Sequence, residues 1–295
     1  MNIELTIITP TYNRSKLLTR LYESLCKQTN KNFQWLIIDD GSTDNTKSEV
    51  KKYINDNFII EYHSKKNGGK HTALNLSHRF IMGKYVCIVD SDDFLIPQAV
   101  ERILNDFKKY ENNSKIACLS YLRGKSIDNV LTKVPECNYI VSDYISFRVN
   151  QEYKGDMFEV MRSQVFLEYN FPVFKNEKFM LESWLFNNIA QRYKTAYINE
   201  IIYISNYLPT GLTQSARKLR YNNPKGAMAD CESYFSPKVK LKIRLKYYLL
   251  FDMFGYASNE KIQNIIRKKN MPVLYLFVLP SFLLSKWWKY KYCAN

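Results

Sequence analysis

Tyr85-Val86-Cys87-Ile88-Val89 runs directly into Asp90-Ser91-Asp92-Asp93, and Phe94-Leu95 follow. Five consecutive apolar residues read as a strand buried on both faces, so the carboxylates stand where that strand emerges. Three carboxylates within four residues repel one another. A hard divalent cation offsets that repulsion. A cation held by one or two carboxylates, with ligand phosphates completing its shell, is the usual magnesium arrangement in proteins that handle nucleotides. A solvated acidic turn has the same composition, so the surroundings of the run decide its role.

Working outward, strands alternate with helices. Leu5-Thr6-Ile7-Ile8-Thr9 reads as a strand ended by Pro10-Thr11, and residues 14–28 as a helix with Leu17, Leu18, Leu21, Tyr22 and Leu25 on one face. Residues 33–38 form a second strand, stopped by Asp39-Asp40-Gly41-Ser42. Asp44 can cap the helix that carries Val50 and Tyr53. A third strand is expected over 58–62, helices over 71–82 and 97–110, and the fourth strand over 85–89. This alternation predicts an α/β fold, a mostly parallel sheet with helices on both faces, whose ligands bind beyond the carboxyl ends of the strands. Thr9-Pro10-Thr11, Asp39-Asp40 and the acidic run all fall at such ends. Further on, 116–121 reads as a strand, 157–166 and 179–193 as helices, 196–204 as a strand, and 206–214 as a loop with Pro209 and Gly211.

The 295 residues are 46% hydrophobic and 24% charged, which fits a globular chain with a sizeable core. Six scattered cysteines with no C-x-x-C spacing read as reduced thiols, not as a disulfide frame or zinc site. The first residues read as a strand and not as a basic leader, so residence in the cytoplasm is expected. The net charge of +15 is uneven: residues 236–295 carry twelve Lys/Arg against Asp252 and Glu260. Such a field calls for an anionic partner. Residues 271–285 are almost wholly apolar but shorter than the roughly 20 residues a spanning helix needs, and they contain Pro272 and Pro280. The Lys, Trp and Tyr residues that follow suit a lipid headgroup region. The expectation is a peripheral anchor on an anionic membrane surface, the inner face of the plasma membrane, against the alternative of a core helix with a basic tail. No nucleic-acid motif is present, and no nucleic-acid partner is expected.

Four stretches, in this order, resemble the motifs of the family 2 glycosyltransferases: Thr9-Pro10-Thr11-Tyr12-Asn13-Arg14; Ile37-Ile38-Asp39-Asp40-Gly41-Ser42-Thr43-Asp44; Asn67-Gly68-Gly69-Lys70 with Ala73-Leu74-Asn75; and Val89-Asp90-Ser91-Asp92-Asp93. The resemblance implies a GT-A fold, with a nucleotide-sugar-binding half over 1–115, an acceptor-binding half over 116–225 and a basic, aromatic helical extension over 226–295. It implies inverting transfer from a nucleotide-diphosphate sugar, UDP-linked, to a hydroxyl of a lipid-linked oligosaccharide or polysaccharide acceptor in bacterial surface-glycan synthesis.

Carried over residue by residue, the donor is bordered by Thr9, Pro10 and Thr11, and Asp39 accepts from a base N–H. Gly69 lets backbone approach closely, and Lys70 neutralises phosphate charge. His71 stands either beside the phosphate or as a satisfied surface histidine. Asp92 is the leading ligand for Mg2+ or Mn2+ and Asp93 a second one, while Asp90 meets the ribose, or the metal through water. The family's base is a carboxylate at a helix start. Here that is Glu182, or else Glu177, because Ser183 stands where the family usually has Asp. Trp184 is placed to stack on an acceptor sugar or to pack in the core. Two alternatives stay open. One is a catalytically inactive member acting as a binding protein. The other is a nucleotidyltransferase, which would need a Gly-rich basic signature that Thr11-Tyr12-Asn13-Arg14 lacks.

Overall fold

The computed structural model describes residues 3–53, 57–132, 139–205, 212–258 and 260–293. Its strands are β1 (Leu5–Thr11), β2 (Phe33–Asp39), β3 (Ile59–Ser64), β4 (Tyr85–Ile88), β5 (Phe94–Leu95), β6 (Ile116–Ser126), β7 (Asn129–Val130), β8 (Tyr139–Ser142), β9 (Met157–Arg162) and β10 (Lys194–Ile204). They form one sheet in the order β3-β2-β1-β4-β9-β6-β10-β5, with β7 on β6 and β8 on β10. The run β3-β2-β1-β4 is parallel throughout. β9 enters antiparallel between β4 and β6, which makes the whole sheet mixed.

Continuous apolar sequence accounts for the central strands. Every residue of β1 and β2 is buried, as both faces are covered by helices. The helices of this unit are α1 (Ser15–Cys26), α2 (Thr46–Val50), α3 (Lys70–Ser77), α4 (Ala99–Lys108) and α5 (Ser163–Phe166). Leu18, Leu21 and Leu25 of α1 lie in one core with Trp35 and Tyr53, and the Tyr22 ring stacks on Tyr53 at 4.4 Å.

Several expectations need correction. β1 does not end at Thr9 but continues through Pro10 and Thr11, paired with Ile38 and Asp39. Proline is tolerated because alternate β1 residues face β4, whose pairing stops at Ile8↔Ile88, so no ladder bond is lost there. Residues 157–162 are a strand and not a helix. Val160 and Met161 are both fully buried between two partner strands, an environment a surface helix does not offer. The 71–82 helix stops at Ser77, and of 179–193 only Ser183–Ile189 is helical. Pro209, Gly211 and Cys137 lie outside the described residues, and the expected loop over 206–214 gives way to helix from Leu212.

The chain divides into two compact units, 1–170 with 189–206, and 171–188 with 207–295. The second contains α6 (Ser183–Ile189) up to its last residue, α7 (Leu212–Asn222), α8 (Pro224–Glu232), α9 (Leu241–Ala257), α10 (Ile262–Lys269) and α11 (Val278–Cys293). Its core gathers Cys231, Phe251, Met253, Phe254, Ile266 and Leu274. Among the described residues no helix is long and apolar enough to cross a membrane.

Candidate active site

The carboxyl ends of β2 and β4 carry the acidic residues, on either side of the end of β1. Asp39 closes β2 beside Thr11 and is buried. One of its oxygens accepts the Ser42 N–H at 2.8 Å, forming an Asx turn, and the other accepts the Tyr62 hydroxyl at 2.5 Å. Asp39 thus forms the turn that ends β2. Asp40 instead builds the glycine loop after β3: it accepts from Gly68 N at 2.9 Å, Gly69 N at 2.6 Å, Asn67 Nδ2 at 3.1 Å and Lys65 Nζ at 2.6 Å. Gly41 makes room for that loop, since a Cβ there would stand 2.8 Å from Asn67 N.

Gly69 adopts φ +93 and starts α3, and Lys70 then reaches across to the acidic run. Lys70 Nζ donates to Asp90 Oδ1 at 2.5 Å, and Arg123 Nη1 lies 3.9 Å from Asp90 Oδ2. Burial alone would raise the Asp90 carboxyl. The Lys70 and Arg123 charges outweigh it and hold that carboxyl below the usual range.

Asp93 turns inward. Its Oδ2 accepts from the Tyr203 hydroxyl at 2.7 Å and from Ser205 at 3.0 Å, while the same Tyr203 oxygen accepts the Asp90 N–H at 3.1 Å. Burial, followed by the Asp90 charge, pushes the Asp93 carboxyl up to about 6. Asp92 is half-buried, and the Arg20 guanidinium donates to its backbone carbonyl. Its side chain has no hydrogen bond or ion pair among the described residues. Three clustered carboxylates thus take three roles: Asp90 is neutralised by cations, Asp93 is bound into the sheet, and Asp92 remains available.

The other donor residues sit on the same rim or beneath it. Thr9 is fully buried and its hydroxyl accepts from Trp35 Nε1 at 2.9 Å, so it supports the rim from below. Thr11 Oγ1 and His71 Nδ1 are buried polar atoms with no hydrogen-bond partner among the described residues. Burial lowers the His71 imidazole, which is therefore neutral at pH 7. Buried orphans of this kind are rare. Arg123, Tyr203 and Ser205 were not singled out from the sequence. They come from β6 and from the end of β10, and only sheet pairing brings them to the acidic run.

Glu182 and Glu177 belong to the second unit. Glu177 is occupied: its two oxygens accept Lys225 N at 2.9 Å and Gly226 N at 2.8 Å, capping the start of α8. Ser183 donates to the buried Asp230 at 2.6 Å, and Trp184 packs on Phe171 with centroids 5.3 Å apart. Glu182 is half-buried at the start of α6.

A family model described as Glycosyl transferase family 2 matches residues 6–162, which takes in the strands from β1 to β9 and the acidic run, though not Tyr203 and Ser205. The chain belongs to glycosyltransferase family 2. Chondroitin synthase of Escherichia coli is 37% identical to this glycosyltransferase over 123 residues, 42% of the chain but only 17% of that protein. Glycosyltransferase GlyG of Streptococcus pneumoniae is 24% identical over 213 residues, 68% of this chain and 69% of that one. Among solved structures, residues 1-349 of S. aureus TarS in complex with UDP-GlcNAc superpose with a TM-score of 0.62 at 17% identity, covering 95% of this chain and 79% of that one. The mannosyltransferase PcManGT of Pyrobaculum calidifontis, in complex with GDP-Man and Mn2+, gives 0.57 at 12% identity, covering 97% and 88%. These likenesses concern the fold, which is of the GT-A type.

Proposed function

We propose that this glycosyltransferase moves a sugar from a UDP-linked donor to a glycan hydroxyl with inversion at the anomeric carbon. The observation that supports the reading best is Asp92, the one unpartnered carboxylate of the acidic run, on a rim whose other charges are already matched. UDP is favoured because TarS complexes contain UDP and UDP-GlcNAc. A glycan acceptor, lipid-linked or polysaccharide, is favoured because the relatives include synthases of chondroitin and hyaluronan. In this reading the chain works at the inner face of the plasma membrane, which the basic, aromatic C-terminal stretch supports.

An Mg2+ or Mn2+ ion fits Asp92. The donor set is oxygen-only, and the carboxylate has no competing partner. Among the described residues no three His, Cys, Asp or Glu side chains are gathered to hold a metal, so donor phosphates would complete the shell. When bound, the ion would stabilise charge on the departing diphosphate. Asp93, engaged by Tyr203 and Ser205, shapes the run in this reading and is not the second ligand. Thr11, Asp39, Gly69 and the neutral His71 border the donor, with Lys70 and Asp90 set against its phosphate and ribose. Glu182 removes the proton of the attacking hydroxyl, a role Glu177 cannot share while it caps α8.

The test is incubation with a panel of nucleotide sugars, Mn2+ and short glycan acceptors, with product followed by mass and anomeric configuration by NMR. A β-linked product from an α-linked donor is expected. Retained configuration overturns the inverting mechanism. Donors that raise the melting temperature but yield no product favour the inactive, binding-protein reading instead.

A further inference from the structure

The last helix seats two serines among its core-facing residues. Ser281 and Ser285 of α11 are buried, with Ser281 Oγ donating to the Leu249 carbonyl of α9 at 2.8 Å and Ser285 meeting the Tyr221 hydroxyl at 3.2 Å. Leu284 and Trp288 face the core beside these serines, but a second set of large apolar side chains points the other way. Leu279 is 71% exposed, Leu283 61%, Trp287 47% and Tyr290 79%, and the preceding Leu276 is 76% exposed. Spaced by four, four and three residues from Leu279, these four side chains fall within one stripe of a 3.6-residue helix. Soluble chains rarely leave such a continuous stripe open to water.

We propose that this stripe docks on an anionic lipid surface, with α11 lying in the plane of the headgroups. Charge selects the occupant. Lys286, Lys289 and Lys291 belong to the same helix, with Lys291 Nζ 4.8 Å from the Trp287 ring centre and Lys286 Nζ 5.5 Å from that of Phe282. Residues 261–295 hold seven Lys/Arg and no Asp or Glu. A second copy of this chain, at +15, would bring like charge against that surface. An anionic leaflet brings opposite charge and takes up Leu, Trp and Tyr at the boundary of headgroup and acyl chain. Pro280 lies in the first turn of α11, where its missing N–H forfeits no helical bond, so the stripe stays unbroken. The inference rests on the preceding reading only for the choice of membrane face, and not on sugar transfer.

The test is co-sedimentation of the full chain with vesicles of phosphatidylglycerol in phosphatidylcholine, and with vesicles of phosphatidylcholine alone. The unchanged protein should pellet with the anionic vesicles, less so as salt rises. The pair Leu279→Asp and Leu283→Asp should weaken that partitioning at least about tenfold, with the melting temperature retained because both positions are exposed. The triple change of Lys286, Lys289 and Lys291 to Gln should remove most of the salt dependence. Overturning results are an unchanged protein that stays in the supernatant, aspartate variants that pellet as before, or a dimer in light scattering that the same variants dissociate. Transfer to a soluble acceptor, measured alongside, separates the two readings: variants that leave the vesicles yet keep turning over support docking and leave the transferase intact.

Discussion

Lys70 Nζ and Asp90 Oδ1 meet at 2.5 Å, joining the loop after β3 to the end of β4 across the two strands between them. A cation already held by a carboxylate is positioned without donor, and an arriving phosphate then shares it. Lys70→Ala is expected to raise the donor KM by about tenfold, the loss of roughly one charge-assisted bond. Because the pair is partly solvated, the unfolding free energy should change by less than about 1 kcal/mol. An unchanged donor KM would show that Lys70 serves Asp90 alone.

Asp92→Ala should reduce transfer at least about a hundredfold, the scale of losing charge stabilisation at a leaving group. Asp93→Asn should act differently. It weakens the contacts to Tyr203 and Ser205 and costs about 1–3 kcal/mol of stability through imperfectly matched buried donors. Rates with and without EDTA, read beside urea unfolding, distinguish the two. Full activity of Asp92→Ala would remove the metal assignment.

Glu182→Gln should abolish turnover, whereas Glu177→Ala should cost about 1–2 kcal/mol by uncapping α8 and leave kcat of the folded fraction near its original value. The reverse pattern would exchange their roles.

Asp252 in α9 is buried, neither oxygen has a hydrogen-bond partner among the described residues, and burial pushes its carboxyl up to about 7. An unfolded aspartate titrates near 3.9, so between about pH 4 and 7 the folded chain keeps a proton that the unfolded chain has released. Its contribution to stability is therefore full below about pH 4 and is lost as pH rises through 7. Asp252→Leu should resist urea better than the unchanged protein at about pH 8, and the advantage should shrink at about pH 5. An advantage equal at both would mean that the carboxyl titrates normally.

What was legible in the sequence was local. The apolar runs of β1, β2 and β4 and the glycine loop announce themselves by consecutive residues, and so did the rim they build. Arg123, Tyr203 and Ser205 were not legible, because β6 and β10 deliver them to Asp90 and Asp93 through pairings with no local signature. Met157–Arg162 was misread because a doubly buried strand lacks the alternation that distinguishes it from a helix segment. In α11 hydropathy alone hid the orientation: Leu284 and Trp288 face inward with Ser281 and Ser285, while Leu279, Leu283 and Trp287 face out, and nothing local separates the two sets.

The antiparallel β9 has a consequence for how the chain folds. During synthesis β1 to β4 can assemble as each appears, β2 and β3 adding to one side of β1 and β4 to the other. β4 and β6 must nevertheless wait with bare edges until residue 157 and beyond have left the ribosome, because the strand that joins them comes late. That interval is when the nascent sheet is most open to pairing with a neighbouring chain. Expression yield should therefore be sensitive to substitutions in Met157–Arg162 out of proportion to their effect on the finished protein.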